Sequence, residues 1–194
     1  FSVHPGSLFK GLKDLEAEAR KDPENLTWAS LGGAALHDFS FRQFFKAIGV
    51  DVTKTKPVMR QGGSQSIVIT AGGNVKLGGG SLPASLPAIN GKTVRPLAIT
   101  SMIRWPDVPD LLTTAEVGYP TVTASEYKSI SGPPNMPSYI VEIWDKAFQE
   151  MMKDPEVLAQ LKNVGAFPFY KNSHDIKEYT IRETQEIKEL WGLK

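Results

Sequence analysis

Three glycine turns carry the residues of this 194-residue chain that could bind a ligand. We call them the first, second and third glycine turns: Ser30-Leu31-Gly32-Gly33-Ala34-Ala35, Gln61-Gly62-Gly63-Ser64 and Gly78-Gly79-Gly80-Ser81. Glycine has no side chain to block a ligand from backbone N–H groups, and the first N–H groups of a helix have no partner within the helix. A helix after each turn would add a dipole that favours negative charge. The turns therefore predict a carboxylate or phosphate site, although such turns are commonly only tight connections.

Catalytic or metal chemistry has no matching pattern of residues. The chain has no cysteine, which excludes disulfides, thiolate-bound zinc and a cysteine nucleophile. The serines of the glycine turns lack a Ser-His-Asp order or a nucleophile elbow, so we interpret them as hydrogen-bond donors or caps. His4, His37 and His174 show no metal-binding spacing. His37 could help position an acid, but a lone histidine near a helix start is more often structural. We expect no enzyme, no cofactor and no metal ion.

The composition is that of a globular protein. Hydrophobic residues make up 41% of the chain and charged residues 22%, which is enough for one large domain or one and a half smaller ones. A net charge of +1 without a Lys/Arg block argues against a nucleic-acid or anionic membrane partner. No apolar run approaches the roughly 20 residues of a membrane span, and no signal peptide begins the chain. Because Phe1-Ser2-Val3-His4-Pro5 looks like the end of a strand, we expect an upstream part to be absent.

Strands and helices alternate around the glycine turns. The sequence predicts strands at Leu26 to Ala29, Val52 to Met59, Val75 to Leu77 and Val94 to Ile99. It predicts a first helix from about Gly11 to Lys21 and helices directly after the first and second turns. This alternation implies a mostly parallel sheet with helices on both faces. Ligands of such sheets bind at the carboxyl ends of the strands, where all three glycine turns fall.

The last third of the chain has a different character. We predict a short helix at Thr113 to Val117, an extended crossing segment at Thr121 to Ile130, and helices beginning near Ser138, Asp154 and Ser173. The apolar residues of these last helices are Ile140, Trp144, Phe148, Met151, Val157, Leu158, Leu161, Ile187 and Leu190. Since the segment supplies too few strands to cover them, we expect another copy of the chain or an upstream part to pack there, with self-association through these helices.

Several motifs resemble, in the same order, the receptor components of tripartite tricarboxylate transporters, the Bug-type extracytoplasmic solute receptors. The motifs are Leu26-Thr27-Trp28-Ala29-Ser30-Leu31-Gly32-Gly33, Gln61-Gly62-Gly63-Ser64, Ala71-Gly72-Gly73-Asn74-Val75, Arg95-Pro96-Leu97-Ala98-Ile99-Thr100-Ser101, Pro106-Asp107-Val108-Pro109, Ser131-Gly132-Pro133-Pro134-Asn135-Met136-Pro137 and Asp154-Pro155-Glu156-Val157. Each is unspecific alone, but their order and spacing extend the resemblance over essentially the whole chain.

The resemblance implies an α/β fold like that of type II periplasmic binding proteins, in which two lobes close on a small carboxylate and deliver it to a membrane permease. It implies a periplasmic location, and residues 1–123 as the second lobe, complete or nearly so. Residues 124–194 would be the hinge crossover and the carboxy-terminal helices of an incomplete first lobe, whose amino-terminal third is missing. Because closure supplies half of the contacts, we expect the chain alone to bind carboxylates poorly.

The resemblance also implies which residues contact the ligand. They are Ser30, Gly32, Gly33, Ala34, Ala35, Gly62, Gly63, Ser64, Gly80 and Ser81 of the glycine turns and Tyr127 of the crossing segment. Ala34 and Ala35 stand where the family often has hydroxyl residues, and Lys76 stands where it often has Asp. The two alanines remove hydrogen-bonding groups, so the ligand class cannot be transferred from the family.

Two other classes of protein stay open from the sequence. A cytoplasmic LysR-type effector-binding domain of a transcription regulator has a related fold, although the Trp105-Pro106-Asp107-Val108-Pro109 and terminal-helix patterns fit it poorly. A hydrolase would need an activated nucleophile, and no residue pattern supplies one. A receptor differs from a hydrolase in binding its ligand without turnover.

Overall fold

Short strands and longer helices make up the regular structure. The computed structural model describes residues 1–33, 35–166 and 168–193. The strands in these ranges are β1 (Ser2–Val3), β2 (Thr27–Ser30), β3 (Lys56–Met59) and β4 (Arg95–Pro96). The helices are α1 (Leu12–Lys21), α2 (Leu36–Ala47), α3 (Gly63–Ala71), α4 (Leu82–Asn90), α5 (Ser138–Met151), α6 (Pro155–Asn163) and α7 (Ser173–Trp191), with short 3₁₀ turns at Pro23–Asn25 and Val52–Lys54.

The chain divides into two units, Phe1–Glu126 and Tyr127–Lys194. The sequence placed the boundary after Thr123. Assignment of the units to the two lobes of a receptor stays a prediction. The units are described separately below.

Unit 1 is built on a mixed sheet. β2 and β3 pair in parallel from Thr27 opposite Lys56 to Ser30 opposite Met59. The predicted strand around Leu77 forms bridges rather than a full strand: Leu77 pairs in parallel with Trp28, and Gly78 pairs antiparallel with Ser2 of β1. β1 pairs antiparallel with β4 on its other side. The resulting order is β3, β2, the Leu77 segment, β1 and β4.

The core of unit 1 is aromatic. Trp28 of β2 is 1% exposed, meets the rings of Phe41 and Phe45 edge-on, and donates a 2.7 Å hydrogen bond from Nε1 to Thr55 Oγ1. The hydrogen bond satisfies the one polar atom of the indole, so the whole ring can be buried without a desolvation penalty. α2 supplies most of the remaining aromatic surface, including Phe44, which contacts Tyr119 at 5.1 Å between ring centroids. These contacts fix α2 against the sheet and thereby fix the turn that precedes it.

Two of the secondary-structure predictions for unit 1 are wrong. The predicted strand from Val52 begins instead with a 3₁₀ turn, because the Asp51 side chain accepts the backbone N–H of Thr53 at 2.9 Å. No helix forms at Thr113 to Val117. There, Thr113 bridges in parallel to Ile99 and the N–H of Thr114 donates to the Ile99 carbonyl at 2.8 Å, so a long-range pairing replaces the local helix.

Unit 2 consists of α5, α6 and α7 without a strand among its described residues. Asp145 of α5 accepts hydrogen bonds from the backbone N–H of Ser173 at 3.0 Å and from its hydroxyl at 2.6 Å, which joins α5 to the start of α7. No described residue of this unit is buried, whereas the buried apolar residues of the chain extend only to Ala124. Most of the apolar residues predicted for the faces of these helices are therefore half-buried, while Trp144 and Met151 are 52% and 39% exposed.

No helix within the described ranges combines the length and the apolar character that crossing a bilayer requires.

Candidate functional site

The three glycine turns leave the sheet of unit 1 at the same edge, as the sequence predicted. β2, β3 and the Leu77 segment are mutually parallel, so the residues that follow Ser30, Met59 and Leu77 all emerge at the carboxyl ends of parallel strands. A 2.8 Å hydrogen bond from the N–H of Arg60 to the carbonyl of Ser30 ties the first two exits together. In α/β sheets this edge is where ligands bind.

The helices that begin at this edge have no side-chain caps. The N-cap residues of α2, α3 and α4 are Ala35, Gly62 and Ser81, and none of the three N-termini receives a side-chain hydrogen bond. In unit 2, Asp154 and Asn172 cap α6 and α7 with their own side chains, whereas α5 has no side-chain cap. The first N–H groups of α2, α3 and α4 are therefore left without a side-chain acceptor at the edge where their dipoles favour an anion.

A buried carboxylate fixes the first glycine turn. Asp38 of α2 is 2% exposed and accepts hydrogen bonds from the Ser30 hydroxyl and, at 2.8 Å, from the N–H of Leu31. The Ser30 hydroxyl in turn accepts the N–H of Gly32 at 3.1 Å. The Ser30 hydroxyl thus donates its hydrogen bond to Asp38. The serine side chain therefore positions the turn and does not offer a donor to a ligand.

Asp38 is the residue of the site that sequence reasoning missed. The sequence did contain a signal for this role: Asp38 is an acidic residue in the first turn of a helix, eight positions after the serine whose hydroxyl it binds. A basic side chain lies one helical turn further on: burial lowers the pKa of the Arg42 guanidinium, and the charge of Asp38 opposes that effect. The pair places a compensating charge near the buried carboxylate.

The second and third glycine turns are joined through Ser66 of α3. Its buried hydroxyl donates to the carbonyl of Gly79 at 2.7 Å, and the N–H of Gly79 points back to it at 3.3 Å. A side-chain carbon on Gly80 would lie 3.0 Å from both Ile67 Cδ1 and Ser85 Oγ. Only glycine fits here without displacing its neighbours, and the backbone of the third turn is held close to α3.

His37 joins the first and second glycine turns. It is half-buried in the first turn of α2, and a side-chain carbon on Gly63 would lie 3.3 Å from His37 Cε1 and 3.7 Å from Nε2. Its Nδ1 atom is buried and has no hydrogen-bond partner within the described part of the chain. Burial lowers the pKa of His37, so the imidazole favours its neutral form.

The structure brings most of the predicted ligand residues together at this edge. Those in unit 1 that are described are Ser30, Gly32, Gly33, Ala35, Gly62, Gly63, Ser64, Gly80 and Ser81. Ala34 lies outside the described residues. Tyr127 belongs to unit 2, where its ring meets Tyr179 edge-on with 5.6 Å between centroids. Lys76 forms a 2.6 Å ion pair with Glu18 of α1 and so takes part in helix packing.

The crossing segment that ends unit 1 is anchored beside α2. The side-chain oxygen of Gln43 accepts the N–H groups of Thr123 and Ala124, both at 3.1 Å. The hydroxyl of Thr100 donates to the carbonyl of Ala124 at 2.6 Å. These bonds fix the last residues of unit 1 on the helix whose N-terminus carries the first glycine turn.

Comparison with known proteins agrees with this architecture. The family model described as "Tripartite tricarboxylate transporter family receptor" matches residues 1–191. A UPF0065 protein from the tcbD-tcbE intergenic region of Pseudomonas sp. (strain P51) is 28% identical over 165 residues, which cover 84% of this chain and 48% of that protein. The chain spans about half the length of the curated relatives it matches.

Two solved structures extend the comparison to three dimensions. Rpa4515 of R. palustris with adipate has a TM-score of 0.75 and 25% identity, and the match covers 98% of this chain and 64% of that one. A TctC solute-binding protein from Polaromonas, solved without ligand, has a TM-score of 0.83 at 12% identity with the same coverage, which shows the shared fold alone. The fold predicted from the sequence, that of periplasmic solute-binding proteins, is thereby confirmed.

Proposed function

Since this chain belongs to the tripartite tricarboxylate transporter receptor family, we propose that it is part of an extracytoplasmic receptor that captures a small carboxylate for a membrane permease. The observation that carries the proposal is the convergence of the three uncapped N-termini of α2, α3 and α4 at the carboxyl ends of parallel strands. A carboxylate placed there accepts backbone hydrogen bonds and meets the positive ends of three helices.

The ligand proposal is a carboxylate rather than a phosphate. Rpa4515, which is 25% identical to this chain over the matched part, was solved with adipate. A dicarboxylate of this kind has a charged group for the helix N-termini and an apolar middle. Met59, at the end of β3 and 57% exposed, lies against Gly32 and offers apolar surface next to the turns.

We propose binding without turnover. Ser30 is only 3% exposed and its hydroxyl is bound to Asp38, so a substrate has no access to this oxygen. Ser64 is exposed at the start of α3, but its hydroxyl has no base as a partner among the described residues. A hydrolase would need an accessible nucleophile with a base within hydrogen-bond reach. The family match also favours a receptor over the LysR-type effector domain, because the matched family consists of transporter receptors.

A titration observed by NMR tests the carboxylate proposal. Adipate is added to the isotope-labelled chain, and 1,6-hexanediol, which has the same length but no charge, is the matched control at equal ionic strength. We expect adipate, but not the diol, to shift the backbone amide signals of Gly33, Gly63 and Gly80. If the glycine amides do not respond to adipate, or respond equally to the diol, the proposal is wrong.

We predict that this chain by itself binds adipate only weakly, with a Kd on the order of millimolar. Receptors with two lobes gain much of their affinity from contacts with the second lobe and from exclusion of water. The chain spans 64% of the adipate-bound structure. Calorimetry supplies the measurement, and micromolar affinity would contradict the prediction by showing that the chain alone holds a full site.

We also propose that the chain self-associates through unit 2. The side chains of Tyr139, Ile143 and Trp144 on α5 are 63%, 61% and 52% exposed. Burying a large apolar side chain is worth about 1.5 to 3 kcal/mol, so such a face favours association. Light scattering of the purified chain should give a mass above that of the monomer, and Trp144→Glu should reduce it. A stable monomer at all concentrations would contradict this proposal.

A further inference from the structure

We propose that His37 is a ligand-sensing residue of the carboxylate site, which donates a hydrogen bond from Nε2 to the bound anion and takes up a proton when the anion binds. The inference rests on the proposed function and adds a specific side chain to a site otherwise built from backbone groups. It departs from the structural role that the sequence favoured for this histidine.

The position of the imidazole is the first argument. His37 is the second residue of α2, and the Cε1–Nε2 edge of its ring lies next to Gly63, the first residue of α3. Two of the three uncapped helix N-termini therefore border this ring. An anion that accepts N–H groups from both helices must come close to the imidazole.

The two ring nitrogens have different surroundings. Nδ1 is buried and has no hydrogen-bond partner among the described residues. Nε2 lies beside Cε1 on the edge of the ring nearest to Gly63 and makes no hydrogen bond to any residue in the described ranges. A buried donor without a partner costs more than a buried acceptor without one, so the proton of the neutral ring belongs on Nε2. This tautomer directs an N–H donor toward the edge where the glycine turns lie.

The charged groups around His37 lie on two elements. Asp38 of α2 and Glu126 at the end of the crossing segment favour the protonated ring. Burial outweighs these charges and keeps the pKa of His37 below its ordinary value.

The sign of the coupling follows from these charges. An anion beside Nε2 stabilises the imidazolium, so ligand binding raises the pKa of His37. By linkage, the protonated protein binds the anion more tightly. Because the pKa of the free ring lies below the ordinary histidine value, affinity for a dicarboxylate should increase as the pH falls from neutral through that value and His37 takes up its proton.

The chain has three histidines, so the test can follow each of them by NMR. The pH titrations of the ring Cε1–H signals of His4, His37 and His174 are recorded without adipate and with adipate at saturation. We expect adipate to raise the pKa of His37 by about 1 and to leave the ring signals of His4 and His174 in place. His174 serves as the internal control because its side chain is 76% exposed on α7.

Two variants of His37 show whether its side chain acts as a hydrogen-bond donor or only fills space. His37→Gln keeps an N–H donor near the Nε2 position and should bind adipate within about twofold of the parent, whereas His37→Leu should bind it about tenfold more weakly. His174→Gln is the matched control and should leave binding unchanged. Proton uptake on binding, measured by calorimetry in buffers of different ionisation enthalpy, should disappear in both His37 variants.

The outcomes distinguish this inference from the proposed function. If the glycine amides respond to adipate while the pKa of His37 does not, the role of His37 is wrong and the carboxylate site stands. Equal affinities for His37→Leu and His37→Gln would also overturn it. If neither the glycine amides nor His37 respond to adipate, the carboxylate site and the role of His37 are both wrong.

Discussion

Replacement of Asp38 by alanine should lower the free energy of unfolding by about 3 kcal/mol and abolish adipate binding. The substitution removes the acceptor of the Ser30 hydroxyl and of the Leu31 N–H, both in a buried setting. The Ser30 hydroxyl and the Leu31 N–H each lose a hydrogen bond to a charged group. The guanidinium of Arg42 loses the negative charge that offsets the cost of its own burial. Without these hydrogen bonds, the first glycine turn no longer keeps the conformation that presents its backbone to a ligand.

Urea denaturation measures the stability loss, and the NMR titration with adipate measures the loss of binding. Asp38→Asn retains the shape and one acceptor, so it should fall between the parent and the alanine variant. Asp51→Ala is the matched control, because Asp51 also accepts hydrogen bonds near a helical start but is exposed and far from the glycine turns in the sheet. A variant Asp38→Ala with parental stability would show that the carboxylate does not hold the turn.

Replacement of Gly78 by alanine should destabilise unit 1 by at least about 3 kcal/mol. The added carbon would lie 1.7 Å from Oγ1 and 2.9 Å from Cβ of Thr70, which is fully buried in α3. Gly78 is paired to Ser2 by hydrogen bonds of 2.8 and 2.9 Å, so neither the strand nor the helix can yield without breaking other contacts. α3 must move away from the sheet, and the second and third glycine turns move with it.

A double-mutant cycle with Thr70→Ala tests the cause of this loss. The second substitution removes the closest atom but leaves Cβ in place, so it should restore only part of the stability. Gly11→Ala is the control, since an added carbon there meets nothing within 4 Å. Its effect should stay near the cost of an ordinary N-cap change, about 1 kcal/mol. Equal effects at positions 11 and 78 would rule out the steric explanation.

Local sequence signals failed at two places, one where a pairing partner far along the chain decided the conformation and one where a neighbouring side chain did. Thr113 and Thr114 resembled the start of a helix but pair with Ile99. Val52 resembled a strand, yet Asp51 closes a 3₁₀ turn before β3 begins at Lys56. In both cases the competing hydrogen bonds were not visible from propensity or from hydrophobic spacing.

The sequence by itself determined the order of strands, glycine turns and helices, and with it the family and the edge at which a ligand would bind. This was possible because a glycine turn before a helix exposes backbone N–H groups whatever surrounds it, and because parallel strands bring their carboxyl ends to one edge. Only the tertiary structure showed that Asp38 accepts a hydrogen bond from the Ser30 hydroxyl and that the ring of His37 lies next to Gly63. Those contacts depend on how α2 and α3 pack against the sheet, and packing of this kind is set by aromatic contacts such as that of Trp28 with Phe41 rather than by the local sequence.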